Sequence, residues 1–184
     1  MTAPPGDAAE PEEIRWAGKF ITARTRGKWE YVSRARGIRA AVILAIDDAQ
    51  HVLLVEQYRV PLGKRCLELP AGLVGDDDSA PDEDAAHAAN RELEEETGYR
   101  ADRIEVIGEF YSSPGMVSES FTLVRAHDLT KVGPGGGTAS EDITVHRVAL
   151  AQLPQFVEFS RGRGLGIDVR LLMLLAYSIL GDKT

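Results

Sequence analysis

The sequence predicts a single domain of mixed α and β structure. β-like apolar runs precede and follow one central stretch of helix formers, and two further helical patterns close the chain. A length of 184 residues suits one domain with a sizeable core. We therefore predict one domain over residues 14–184. A flexible acidic tail, rich in Pro, Ala and Gly, is predicted over residues 1–13.

The remaining elements follow from local patterns along the chain. Two short β-like runs around Gly27 predict an antiparallel hairpin in the N-terminal strand region, and Asp47 and Asp48 mark the next turn. The predicted strands are residues 19–24, 28–34, 38–46, 51–58, 104–110, 120–126 and 143–150. The predicted helices are the central stretch 83–99, then residues 151–160 and 167–180. The last of these is apolar most of the way round, so we expect it to be packed.

The central stretch 83–99 consists mostly of Ala, Glu, Leu and Arg, which are strong helix formers. Pro81 is placed for the first turn, and Gly98 is a C-terminal stop signal. Glu92, Glu95 and Glu96 lie at i, i+3 and i+4, so in a helix the three carboxylates share a face. Such a cluster would repel itself unless a cation neutralised it, and Mg²⁺ or Mn²⁺ suits glutamate oxygens. The alternative is a solvated acidic helix face.

Composition argues against several classes of protein. The net charge is −8 and no strong basic cluster is present, so we expect no nucleic-acid partner. The single cysteine, Cys66, excludes an internal disulfide and a cysteine zinc cluster. No apolar run reaches transmembrane length and residues 1–13 lack the pattern of a signal peptide. We therefore expect no membrane partner and a cytoplasmic location.

The order of residues around the glutamates matches a known motif. Glu83 is followed, after seven residues, by Arg91-Glu92-Leu93-x-Glu95-Glu96-x-Gly98-Tyr99. This resembles the signature of the Nudix hydrolases, G-x5-E-x7-R-E-U-x-E-E-x-G-U with U apolar. The resemblance implies an α/β/α sandwich around a mixed sheet and metal-dependent hydrolysis of a diphosphate bond.

The resemblance to the Nudix signature also implies roles for its residues. Glu92 and Glu96 would clamp one ion, Glu95 would bind a second, and the backbone carbonyl of Ala71 would complete the shell. We expect Mg²⁺, with Mn²⁺ possible, and on the order of two or three ions per site. Arg91 and Glu83 would form the structural pair that holds the catalytic loop against the helix.

Four flanking segments resemble the ADP-ribose pyrophosphatase branch of that family. They are Trp29-Glu30-x-Val32-x-Arg34, Gln57-Tyr58-Arg59, Glu68-Leu69-Pro70-Ala71-Gly72 and Ser113-Pro114-Gly115-x-x-Ser118-Glu119. The resemblance implies that Trp29 stacks on adenine and that Arg34 and Arg59 meet the diphosphate. Glu30, Gly115 and Met116 are further expected substrate-binding residues. It also implies a homodimer that exchanges N-terminal strands within residues 14–36.

The catalytic base is expected after the central helix. Glu141 follows the glycine-rich run 133–137 and begins an E-D-I-x-V-H segment, a context that resembles the base-bearing loop of the same branch. Asp142 is the reserve candidate, and a plain surface acid at the start of a strand is the alternative. The four histidines show no ligand spacing.

One departure from the Nudix signature lies before the central helix. Ten residues separate Gly72 from Glu83, where the pattern has five, and we interpret the difference as a loop insertion. The favoured reaction is hydrolysis of ADP-ribose to AMP and ribose 5-phosphate. The alternatives are hydrolysis of another nucleoside diphosphate compound, such as GDP-mannose or a dinucleotide, and a non-catalytic nucleotide-sugar sensor.

Overall fold

The computed structural model describes residues 6–35, 39–74, 84–138 and 141–181. The helices are α1 (Gly6–Ala9), α2 (Ala85–Thr97), α3 (Leu153–Gly162) and α4 (Leu172–Leu180). The strands are β1 (Glu12–Ala17), β2 (Ile21–Arg26), β3 (Trp29–Arg34), β4 (Arg39–Ala45), β5 (His51–Arg59), β6 (Lys64–Glu68), β7 (Ala71–Val74), β8 (Tyr99–Tyr111), β9 (Ser120–Lys131), β10 (Thr144–Ala149) and β11 (Gly166–Ile167). None of the helices in the described part of the chain is long and apolar enough to cross a membrane.

The strands form three sheets, which confirms the mixed α/β class. An N-terminal antiparallel sheet has the order β1-β2-β3 and contains the predicted hairpin. A second sheet has the order β10-β5-β6-β11, with β11 parallel to β6. The third has the order β7-β4-β9-β8, with β4 parallel to β9 and the other pairs antiparallel. Both larger sheets are therefore mixed.

Strand β4 lies between two buried clusters. Val42 packs with residues of α3 and α4, including Leu153 and Leu175. The next residue, Ile43, packs in a second cluster beneath Leu93 of α2. Successive side chains of a strand point to opposite faces, so this sheet is covered by helices on both sides. The arrangement agrees with the expected α/β/α sandwich.

Helix α2 has a defined cap at each end. The Asp84 carboxylate accepts a hydrogen bond from the backbone N–H of Ala86 at 3.2 Å. At the other end Gly98 has φ of 72°, and its N–H donates to the Glu94 carbonyl. The predicted stop at Gly98 is therefore confirmed. Pro81 and Glu83 lie outside the described residues, as does the loop interpreted as an insertion from residue 75 onward.

The elements differ from the expected ones in three places. Residues 6–13 are not a free tail, because α1 covers Gly6–Ala9 and β1 begins at Glu12 by pairing with β2. Helix α4 is not packed all round, since only Leu175 is buried while Tyr177 is 91% exposed. Strands β6 and β7 were not predicted. They are short runs separated by Leu69 and Pro70. Pairing of β6 with β5 and of β7 with β4 holds them extended.

Candidate active site

A cleft of about 800 Å³ is lined by residues of α2 and of strands β5, β6 and β7, among others. Its lining is strongly charged. The carboxylates that line it are Glu68, Glu92, Glu96, Glu119, Glu141 and Asp168, and the arginines are Arg34, Arg59 and Arg170. A polyanion could therefore meet guanidinium groups on one part of the wall and carboxylates, which need a cation, on another.

Glu92 and Glu96 lie one helical turn apart on α2, and both line the cleft. Burial raises the pKa of Glu96 to about 8, an effect that the Glu92 charge increases and that a hydrogen bond from the Ala71 backbone N–H, at 3.0 Å, partly offsets. Burial also raises the pKa of Glu92 to about 7. The two carboxylates thus repel each other in a poorly solvated place.

The Glu92 carboxylate is held from two sides. Arg91 Nη1 donates to its Oε1 at 2.9 Å, and this ion pair lowers the pKa that burial raises. Gly72 approaches it so closely that a Cβ at residue 72 would overlap the Glu92 side chain. A larger residue at position 72 would displace the Glu92 side chain, so the glycine of strand β7 allows the carboxylate to take its present position.

Glu95 is not part of the cleft. It lines a separate surface cleft with Arg91 and Arg100, and its half-exposed side chain lies 3.8 Å from Arg91. Glu92 and Glu96 thus line the larger cleft and Glu95 does not, although Glu95 lies near enough to Glu92 for its charge to raise the pKa of Glu92. Among the residues that the structure describes, no group of three or more His, Cys, Asp or Glu side chains is arranged so that it could hold a metal ion.

Glu92 and Glu96 nevertheless fit a divalent cation. Both are hard oxygen donors, and their raised pKa values mean that ionising the pair is costly until a positive charge arrives. Glu141 adds to the negative potential, since its charge contributes to the raised pKa of each of them. The available donors are therefore the carboxylates of Glu92 and Glu96, with the carboxylate of Glu141 nearby.

Glu141 and Asp142 have different surroundings although they are adjacent. Glu141 lines the cleft, and its Oε2 accepts hydrogen bonds from the backbone N–H and hydroxyl of Thr138 at 2.8 and 3.0 Å. Asp142 is absent from the cleft lining, and its Oδ2 is paired with Arg65 Nη1 at 2.7 Å. Of the two candidates for the base, Glu141 is the one that faces the glutamate pair.

The two predicted diphosphate-binding arginines both line the cleft, and each has a carboxylate partner. Arg34 is 2.5 Å from Glu119, and Arg59 makes a two-pronged contact with Glu68 at 2.7 and 2.8 Å. The hydrogen bonds that Arg59 donates to Glu68 raise the pKa of Arg59. A guanidinium has five N–H donors, so each arginine keeps donors beyond those its partner takes.

Two of the other predicted substrate-binding residues, Trp29 and Gly115, line a second cleft of about 350 Å³. They line it together with Tyr31 and Pro114. Backbone hydrogen bonds join Val32 to Met116 and Ser118, which fixes β3 against this segment. Met116 is exposed, and Glu30 lies on β3 opposite Thr25. Within one chain, Trp29 therefore does not line the glutamate cleft.

Sequence reasoning assigned no role to four charged residues of the cleft. Glu68 and Glu119 belong to segments that resemble the ADP-ribose pyrophosphatase branch, so their ion pairs with Arg59 and Arg34 could have been predicted. Asp168 and Arg170 belong to no recognised motif. They pair at 2.6 Å just before α4, and Arg170 also approaches Glu68 at 3.5 Å.

Comparisons with known proteins agree with this geometry. The family model of the NUDIX domain matches residues 36–162. The ADP-ribose pyrophosphatase of Bacillus subtilis is 37% identical over 91 residues, which is 50% of this chain and 46% of that protein, so the match spans about half of that relative. The GDP-mannose pyrophosphatase of Cronobacter sakazakii is 32% identical over 161 residues, 83% of this chain and 78% of that protein. A crystal structure described as an ADP compounds hydrolase superposes with a TM-score of 0.67, 25% identity and 94% coverage of both chains.

Proposed function

This chain belongs to the Nudix hydrolase family, and from that premise we propose that it hydrolyses the diphosphate bond of a nucleoside diphosphate sugar. ADP-ribose is the leading substrate, with AMP and ribose 5-phosphate as products. The observation that carries the proposal is the cleft itself, which is lined by the buried Glu96 and the partly buried Glu92 as well as by Arg34 and Arg59. A diphosphate needs both a cation and guanidinium partners.

Mg²⁺, or Mn²⁺ in its place, is the proposed cofactor, because Glu92 and Glu96 are hard oxygen donors one helical turn apart whose negative charges a divalent cation would neutralise. Such an ion neutralises phosphate oxygens and lowers the pKa of a water. The Ala71 carbonyl is a proposed additional ligand. Glu95 is proposed for a second ion, which requires its exposed side chain to leave Arg91.

Glu141 is the proposed base that takes a proton from the attacking water. The two donors on Thr138 hold its Oε2, which leaves the other oxygen outside those two contacts, and Glu141 lines the cleft. Arg91 is proposed to keep Glu92 in place, as their contact at 2.9 Å supports. Its partner in the signature, Glu83, remains a proposal from the resemblance.

A homodimer is part of the proposal, because Trp29 does not line the glutamate cleft of its own chain. The β1-β2-β3 sheet exposes large apolar side chains, including Ile14, Trp16 and Phe20, which a second copy could cover. In such a dimer Trp29, Glu30, Gly115 and Met116 would hold the nucleoside. Light scattering after size exclusion measures the mass, and a monomeric mass would contradict this part.

Hydrolysis of GDP-mannose is the second candidate. It is favoured by the similarity to a GDP-mannose pyrophosphatase over most of the chain, whereas the ADP-ribose pyrophosphatase match covers half. The base-recognising contacts differ between adenine and guanine, while the diphosphate chemistry is the same. A comparison of the rates with ADP-ribose and GDP-mannose therefore decides between the two candidates.

The experiment is a substrate panel with and without Mg²⁺. ADP-ribose, GDP-mannose and a dinucleotide are incubated with the protein and alkaline phosphatase, which releases phosphate only from the monoester products. We expect phosphate release to require Mg²⁺ and to be fastest with ADP-ribose. Fastest release from GDP-mannose would favour the second candidate. Tight binding of these compounds without any phosphate release would identify a sensor and contradict hydrolysis.

A further inference from the structure

Arg65 on β6 joins three segments of the chain through one guanidinium group. Its Nε donates to Glu56 Oε1 at 2.8 Å, and its Nη2 donates to the Glu56 carbonyl at 2.9 Å. Its Nη1 donates to Asp142 Oδ2 at 2.7 Å, and Nη2 also reaches the Asp142 carbonyl at 3.1 Å. Thr144 Oγ1, at the start of β10, lies 3.3 Å away. All three nitrogens are therefore used in one fixed orientation.

The Glu56 end of this contact is rigid. Glu56 is 4% exposed and accepts hydrogen bonds from His146 at 3.0 Å and from Arg163 at 3.2 Å as well as from Arg65. Burial by itself would raise the pKa of Glu56, but the hydrogen bonds from His146 and Arg65 outweigh it and hold the pKa below its usual value. Arg65 is thus anchored to a well-supported carboxylate in the strand layer.

The Asp142 end is open. The Asp142 side chain is 86% exposed, so packing does not hold it, and Arg65 binds both its carboxylate and its carbonyl. The residue before it is Glu141, which reaches the cleft and faces Glu92 and Glu96. The two contacts from Arg65, to the carboxylate and to the carbonyl of Asp142, restrain the residue that follows Glu141, and Thr138 holds the Glu141 carboxylate itself.

We propose that Arg65 is a positioning residue for Glu141, acting through Asp142. The Arg65–Asp142 contact ties the segment that carries Glu141 to β6 and holds the carboxylate within reach of a water in the cleft. Arg65 does not itself line the cleft. The inference rests on the proposed function of Glu141 and goes beyond it by naming what places that residue. Small displacements of a reacting group are costly in rate, which is why such a tie matters.

The test uses steady-state kinetics of the full chain with its best substrate at saturating Mg²⁺. Asp142→Ala removes the carboxylate contact with Arg65 Nη1, the shorter of the two, while Arg65 keeps its hydrogen bonds to Glu56 and to the backbone carbonyl of residue 142, so folding should be unaffected. We expect kcat to fall by between about tenfold and about a hundredfold, with KM within about twofold of the wild type. Arg65→Gln should do the same, and Arg65→Lys should recover only part of the rate because an ammonium cannot make the forked contact.

The matched control is Arg147→Gln. Arg147 lies on β10 and pairs with Asp47 at 2.6 Å, so it is a similar arginine–carboxylate pair in the same sheet but away from the cleft. We expect its kcat to equal that of the wild type. Thermal unfolding of each variant shows whether a rate loss reflects loss of fold, and Asp142→Ala is the variant that decides if Arg65→Gln unfolds.

A double-mutant cycle separates positioning from other roles. If Arg65 acts through Glu141, then Asp142→Ala should cause little further loss once Glu141→Gln is present. Losses that multiply in the double variant, or an unchanged kcat in Asp142→Ala, would overturn the inference and leave the hydrolase intact. Full activity of Glu141→Gln would also overturn it. An inactive wild type across the substrate panel instead overturns the proposed function, and the inference with it.

Discussion

The backbone N–H of Ala71 donates a hydrogen bond to Oε2 of Glu96 at 3.0 Å, joining β7 to α2. Residues 25 positions apart in the chain are brought together by this contact. It orients a buried carboxylate toward the cleft and also stabilises its charged form, because a hydrogen bond to an ionised acid lowers its pKa. The strand therefore determines which way the helix's last cleft-lining glutamate points.

Glu96→Gln should abolish most metal-dependent hydrolysis while keeping the fold. The amide oxygen of glutamine can still accept the hydrogen bond from Ala71, but it carries no charge for the cation. We expect kcat to fall by about a hundredfold or more at saturating Mg²⁺, with an unfolding midpoint equal to or above that of the wild type. Turnover close to the wild-type rate would show that Glu96 holds no essential ion. Glu94→Gln, on the same helix but outside the cleft, is the control.

Stability of the metal-free protein should decrease as pH rises from about 4.5 to about 8. The pKa values of Glu92 and Glu96 are about 7 and about 8 in the fold against a reference of 4.5, so the folded state keeps protons that the unfolded chain releases over this range. Their contribution is complete below pH 4.5 and is lost as pH rises through the folded pKa values. Each carboxylate contributes a slope of up to about 1 kcal/mol per pH unit.

Thermal unfolding in EDTA at several pH values measures this slope. The double variant Glu92→Gln, Glu96→Gln should have a flatter profile, because the amides do not titrate. Mg²⁺ should raise the midpoint more at pH 8 than at pH 5, since protons compete with the ion for the carboxylates. An identical slope in the double variant would mean that other groups govern the pH dependence.

Gly72→Ala should weaken metal binding more than it weakens folding. The added methyl group would overlap the Glu92 side chain, which must then move away from its position beside the cleft. We expect the Mg²⁺ concentration for half-maximal activity to rise by about tenfold, while KM for substrate at saturating Mg²⁺ changes less. Gly63→Ala offers a comparison, because a Cβ there meets nothing although the left-handed φ of 63° adds strain. An unchanged Mg²⁺ requirement would contradict the close packing at Gly72.

Asn90→Ala should destabilise the fold without touching the cleft. The Asn90 amide donates to the Ala101 carbonyl and accepts from the Ala101 N–H, both at 2.9 Å, and so pins α2 to β8. Removing it leaves two backbone groups of a buried residue without this partner, which costs about 1–3 kcal/mol. Urea unfolding gives the free energy difference. Arg100→Ala, which breaks an exposed ion pair with Glu94, should cost less than about 1 kcal/mol.

Patterns along the chain were enough to predict the hairpin of β2 and β3, the strands β4, β5, β8, β9 and β10, and the end of α2 at Gly98. These features depend on local preferences, namely apolar runs, turn residues and a glycine at a positive φ. Strand β7 and the ordered residues before Ile14 depend instead on pairing with distant strands, which no local pattern reveals. The prediction for α4 failed in part for the same reason. Its apolar content predicted packing, but the described part of the chain supplies no surface that covers its exposed side.

The order of residues around Arg91 and Glu92 was by itself enough to show a resemblance to the Nudix hydrolases. The match of the family model shows that the chain belongs to them. Spacing on a helix could not decide how the glutamates divide between two clefts. Glu95 and Glu96 point about 100° apart on the helix, so one can enter a cleft while the other faces solvent. Only the packing of β7 against α2 decided which glutamates line the larger cleft. Gly72 lies against Glu92 and Ala71 is hydrogen-bonded to Glu96, whereas Glu95 lines the other cleft.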